Sequence, residues 1–135
     1  MQQSRFTWGN LLGRRSSVLT RRRSRRLVVE GLEDRTLPAT FNLVAGIADG
    51  APGSLREAIS FANANGVDDT IVLAAGTYNL TLAGAGENAN ASGDLDVTEA
   101  GHGVTITGAG AGSTVIDGGS LDRVFHVLSG VTLNL

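Results

Sequence analysis

Apolar and polar residues alternate in short runs through most of the chain, and glycine-rich turns divide the runs. Tyr78, Leu80 and Leu82 share one face of a strand read over Thr77 to Leu82. The same two-residue period puts Leu95 with Val97 and Val104 with Ile106, and shorter apolar runs mark strands at Val115-Ile116, Val124 to Val127 and Val131 to Leu135. Earlier runs at Phe41 to Val44 and Thr70 to Leu73 predict two more. Gly46 to Gly53 is a loop, and Gly84 to Gly86, Gly101 to Gly103, Gly108 to Gly112, Gly118-Gly119 and Gly130 mark turns.

One segment has a helical period instead. Ser54-Leu55-Arg56-Glu57 is a capping box: the Ser hydroxyl accepts from the Glu57 N–H, and the Glu57 carboxylate reaches back to the Ser54 N–H. Leu55, Ala58, Ile59 and Ala62 then repeat at helical spacing, so a helix is expected over residues 55–64, with Gly66 stopping it in a left-handed turn. Arg56 is expected to face solvent or to bridge to an acid in the first coil.

The spacing of the late strands suggests how they stack. With centres at Ile106, Val115, Phe125 and Leu133, the steps are 9, 10 and 8 residues, or 27 in all, the length of one coil of a three-faced solenoid. An antiparallel sandwich has similar turn lengths. The turns, however, lack the tight two-residue Asn-Gly or Asp-Gly form that hairpins prefer. A helix ahead of the first coil would also cover that coil's open end.

Composition divides the chain in two. Its 135 residues carry a net charge of −2, and its 11 basic residues are all Arg. Residues 1–35 hold nine Arg against three acids, giving +6, while residues 36–135 hold two Arg against ten acids, giving −8. Sixteen of the 19 Gly lie in this acidic body. The basic arm has too little apolar surface to pack and is expected to be disordered alone. It lacks the apolar core of a Sec signal, and its Arg pairs are not followed by the apolar run of a twin-arginine signal. With no Cys, disulfides and thiolate sites are excluded. No apolar run reaches the roughly 18 residues of a membrane span. The Arg cluster could neutralise phosphates, but no reader module or interleaved aromatics accompany it, so nucleic acid is not the expected partner.

Pro52-Gly53-Ser54-Leu55-Arg56-Glu57-Ala58-Ile59, followed by Ala62-Asn63, resembles the CSLREA-type N-terminal segment of bacterial right-handed parallel β-helix (pectin-lyase-like) proteins. Gly53 stands where the Cys of that segment would be. Ser92-Gly93-Asp94-Leu95-Asp96-Val97, Thr105 to Gly110, Thr114 to Gly118 and Leu121-Asp122-Arg123-Val124-Phe125 extend the resemblance over residues 40–135. Val29-Glu30-Gly31-Leu32-Glu33-Asp34-Arg35, followed by Pro38, is similar to the L-E-x-L-E-D-R leader of large bacterial surface and secreted proteins. The resemblance implies an all-β right-handed parallel β-helix with one capping helix. Residues 1–38 would be a leader arm, and residues 39–135 the cap and first coils of a longer helix cut short at Leu135. It implies a secreted or cell-surface location and a structural or binding role, with a polysaccharide or another surface component as partner. Self-association through the open last coil is a further expectation. The alternative is the start of a pectate-lyase-like lyase or hydrolase.

The candidate chemistry lies in four residues. Asp94 and Asp96 alternate with Leu95, so both carboxylates share one strand face, where they could act as acid and base or hold Ca²⁺ against a uronate. Arg123 would then be a base or charge clamp, and Asp117 a further carboxylate. The simpler reading is that Leu95 and Val97 fill the core, the Asp side chains are solvated or cap turns, and Asp117-Gly118 is a turn. On that reading no residue is catalytic and no cofactor is held. His102 and His126 have no spacing partner and form no metal motif. The triplets Asn79-Leu80-Thr81 and Asn90-Ala91-Ser92 fit the N-glycosylation pattern and are discounted as chance.

Overall fold

Strand pairing is parallel throughout and joins segments far apart in the chain. The computed structural model describes residues 37–135, so the reading of the Arg-rich arm lies outside the described residues except at Leu37 and Pro38. The elements are β1 (Thr40–Leu43), α1 (Leu55–Ala62), β2 (Asp69–Leu73), β3 (Gly76–Asn79), β4 (Leu95–Val97), β5 (Gly103–Thr107), β6 (Thr114–Asp117), β7 (Phe125–Val127) and β8 (Thr132–Asn134). Among the described residues the class is all-β with one short helix. The first sheet has the order β1-β2-β5-β8, the second pairs β3 with β6, and the third pairs β4 with β7. From β2 onward the chain visits the three sheets in rotation. Between β1 and β2, α1 stands where strands of the second and third sheets would otherwise run.

The register gives the length of each pass. Gly103 pairs with Thr132, a step of 29 residues and close to the expected 27. Leu95 pairs with Phe125, a step of 30. Asp69 pairs with Val104 and Gly76 with Thr114, steps of 35 and 38. These are longer because the connection from β3 to β4 carries extra residues. Gly84 and Gly93 close that excursion: a Cβ on either would collide with the segment of the other, and Gly93 sits at φ +63°.

The core is one cluster of inward residues. In the first sheet Phe41, Ile71 and Ile106 stack directly, as do Leu43 and Leu73. Leu55, Ala58, Ile59 and Ala62 of α1 join them, together with Tyr78, Leu80, Leu95 and Val97. The outward face of the first sheet carries a polar ladder of Thr40, Thr70, Thr105 and Asn134.

Several local expectations are corrected. The alternation over Thr77 to Leu82 holds only through Leu80. The Leu80 amide still bonds the Asp117 carbonyl at 2.8 Å, but those of Thr81 and Leu82 turn to Asp49 Oδ2 at 2.8 and 3.1 Å, which leaves Leu82 38% exposed. In β6, Val115 faces outward and Ile116 packs on the core. The helix ends at Asn63 in right-handed geometry, with the Asn63 amide bonded to the Ile59 carbonyl at 2.8 Å. Gly66 takes its positive φ three residues later, in the turn toward β2. The capping box is displaced by one residue. Ser54 Oγ accepts from the Glu57 N–H at 3.1 Å, but Glu57 Oε2 accepts from Gly53 N–H at 2.6 Å, since the Ser54 N–H is already bonded to the Ala51 carbonyl.

Ser54→Ala removes the acceptor for the Glu57 amide and is expected to lower stability by about 0.5–2 kcal/mol, read as a lower urea midpoint. An unchanged midpoint would contradict the cap.

Candidate functional site

β4 and the helix beside it hold most of the buried polar chemistry. β4 pairs with β7 on one side, and on the other it has no neighbouring strand among the described residues. The groups along that open edge are met by side chains of α1 and its flanks. Arg56 donates from Nη1 to the Asp94 carbonyl and from Nη2 to the Gly93 carbonyl, both at 2.8 Å. Asn63, two helical turns on, donates to the Asp96 carbonyl at 2.7 Å and accepts from the Thr98 N–H at 2.9 Å. Its amide thus occupies the place of a peptide group in a neighbouring parallel strand.

Arg56 does not face solvent; it is 3% exposed. Its other bonds run to Asp49 in the loop before the helix, Nε to Oδ1 at 2.7 Å and Nη2 to Oδ2 at 3.1 Å. Arg56 does bridge to an acid, but that acid, Asp49, lies in the loop before the helix and not in the first coil, where Arg56 meets the backbone carbonyls of Gly93 and Asp94 instead. Burial opposes the charge of Asp49. The Arg56 side-chain hydrogen bond and the amides of Leu82 and Thr81 outweigh it, holding the carboxyl below the usual range.

The outer face of β4 carries Asp94 and Asp96, and both are fully buried. The expectation that they are solvated is wrong, because the next pass and the β3–β4 connection cover them. Arg123, on the approach to β7, bonds Asp94 Oδ2 through Nε. His126 is the direct register partner of Asp96, and its Nδ1 lies 2.9 Å from Asp96 Oδ1. Asn90 completes the cover: its N–H donates to Asp96 Oδ2 at 3.0 Å, its Oδ1 accepts from the Asp96 N–H at 3.1 Å, and its Nδ2 reaches the Arg56 carbonyl at 2.8 Å. Asp94 Oδ1 is the one buried side-chain polar atom without a partner among the described residues. Its bond to Asp94 pushes the Arg123 guanidinium further toward the charged form.

The other candidates do not join this group. Asp117 is exposed and accepts from the Gly119 N–H at 2.9 Å, as the turn reading expects. Asp122 is exposed and bonds the Arg123 amide. His102 lines a shallow polar groove with Asp68, Thr105, Thr132 and Asn134. Asn90 is 3% exposed, which keeps it from a glycan-transferring enzyme in the folded chain.

Asn90, Asn63 and His126 belong to this buried polar group, a place the sequence reading gave to none of them. One signal could have found His126. Asp94 and Arg123 are 29 residues apart, and Asp96 and His126 are 30 apart. The second separation equals the β4–β7 register, so Asp96 and His126 fall directly opposite each other, and Arg123 lies one position short of the place opposite Asp94.

A pH prediction follows from Asp49. Its folded pKa lies below the unfolded value near 3.8. The stability it contributes is therefore complete above that value and is lost as pH falls through the folded pKa. Asp49→Asn is expected to cost on the order of 3 kcal/mol near pH 6, since it strips a buried Arg of its partner. The gap to the wild-type chain in urea denaturation should narrow below about pH 4. A gap of constant size would show that the charge of Asp49 is not what holds Arg56.

Compared with models of protein families, with curated proteins and with solved structures, the chain matches none at the level searched.

Proposed function

We propose that residues 39–135 are the N-terminal cap and first coils of a right-handed parallel β-helix, acting as a non-catalytic structural and binding module of a secreted or cell-surface protein. The observation that carries this reading is the way α1 meets the free edge of β4. Arg56 and Asn63 supply the hydrogen bonds that a preceding strand would make, which is what the first turn of a parallel stack requires. The three parallel sheets, visited in rotation, and the step of 29 residues accord with it.

The burial of Asp94 and Asp96 favours binding over catalysis. A polymer cannot reach carboxylates that Arg123, His126 and Asn90 enclose, and Asp117 is engaged in a turn. A polysaccharide or similar surface polymer would instead lie in the polar groove of Asp68, His102, Thr105, Thr132 and Asn134. Further coils, or a second copy, would pair with the free edge of β8.

Two experiments test this. Asn63→Leu keeps the side-chain volume but removes the amide, so it should expose the β4 edge. Stability is expected to fall by about 1–3 kcal/mol, and light scattering should detect association beyond that of the wild-type chain; unaltered stability and association would contradict the cap. Incubated with insoluble plant and bacterial polysaccharides, the chain is expected to be retained, more weakly after His102→Ala or Asn134→Ala, without releasing unsaturated or reducing ends. Release of such ends would favour the lyase or hydrolase alternative.

A further inference from the structure

The enclosed carboxylates on β4 carry an inference that goes beyond a scaffold or binding role. We propose that Asp94, Asp96 and His126 bind one first-row divalent metal ion of the Zn²⁺ type, which links the pass containing β4 to the pass containing β7.

Geometry is the first support. One carboxylate oxygen from each Asp and a ring nitrogen of His126 lie within 4.8 Å of one another. Donors around a tetrahedral ion with bonds of roughly 2.1 Å sit about 3.4 Å apart, so the 2.9 Å contact between His126 Nδ1 and Asp96 Oδ1 must open slightly while any wider separation closes. His126 has the room to move, its side chain being 28% exposed while those of Asp94 and Asp96 are 1% and 0% exposed.

The second support is independent of the cluster's composition. Asp94 Oδ1 is buried and has no hydrogen-bond partner. A buried carboxylate oxygen without a partner is costly to a folded protein, and a cation beside it removes that cost. Arg123 occupies only Oδ2 of the same carboxylate. Two acidic side chains share one guanidinium here, an excess of acidic groups that is complementary to a cation.

The donor set decides the class of ion. Ca²⁺, the ion the sequence suggests for Asp94 and Asp96, takes six to eight oxygen ligands. Here the third donor is an imidazole, and the enclosing residues offer few further oxygens. One nitrogen and two carboxylate oxygens, with a water entering from the His126 side, suit Zn²⁺ or a neighbour in the first row. Ligands from two successive passes would then pin β4 to β7 at the Asp96–His126 register pair.

The test uses the full chain, stripped with a chelator and titrated with Zn²⁺ in a calorimeter. The expected result is saturable binding of one ion per chain, a rise in melting temperature with Zn²⁺, and a much weaker response to Ca²⁺. His126→Gln lies at the open side of the cluster and should fold. It is expected to raise the Kd by on the order of tenfold or more and to abolish the melting shift. Asp94→Asn should do the same, whereas His102→Gln, in the separate groove, should leave binding unchanged. No saturable binding by the wild-type chain, binding that survives His126→Gln, or binding lost on His102→Gln would each overturn the site.

Discussion

A buried guanidinium governs the start of this fold. Arg56 is 3% exposed, and removing such an ion from water costs several kcal/mol unless its donors are met with good geometry. Asp49 takes two of its bonds, and the carbonyls of Gly93 and Asp94 take two more. Two segments, one 7 residues before Arg56 and the other up to 38 residues after it, are thereby fixed to one side chain. Asp49 extends the constraint, since its Oδ2 also receives the amides of Thr81 and Leu82. The exit from β3 and the entry to β4 are set by the same ion pair.

The first turn of any parallel stack has an edge problem, because its strands have neighbours on one side only. Here side chains stand in for the missing strand. Asn63 does so most completely, since its amide is both donor and acceptor and fits between Asp96 and Thr98 as a backbone peptide would. Asn90 meets the N–H of Asp96 between them. A helix serves this purpose well: residues 56 and 63 lie two turns apart on one face, while Leu55, Ile59 and Ala62 remain free to enter the core.

Parallel stacking also imposes a rule on charge. Residues one pass apart lie directly opposite, so like charges at that separation would repel at close range. The chain places Arg123 against Asp94 and His126 against Asp96. The same alignment that relieves repulsion concentrates ionisable groups in one enclosed spot. A structural pairing and a metal-binding cluster can therefore arise from one register.

Features that depend on neighbours close in sequence were legible from the residues alone. Alternation located the strands, the Ser54–Glu57 box located the start of the helix, and Asp117-Gly118 was readable as a turn. Each rests on contacts within a few positions, which side-chain period and turn chemistry encode directly. The burial of Arg56, Asp94 and Asp96 was not legible, because a charged residue in a short run reads as solvated until its partner is known. The partners of the two aspartates, Arg123 and His126, lie 29 and 30 residues away, Asn90 is brought near by an irregular loop, and Arg56 is met by Asp49 from the preceding loop and by carbonyls 37 and 38 residues on. Asn63 looked like the end of a helix and became part of a sheet edge for the same reason. The chain by itself thus determined which residues are strand, helix and turn. Only the tertiary structure decided which polar groups leave water, because desolvation depends on what covers a residue, and the cover comes from the next pass of the chain.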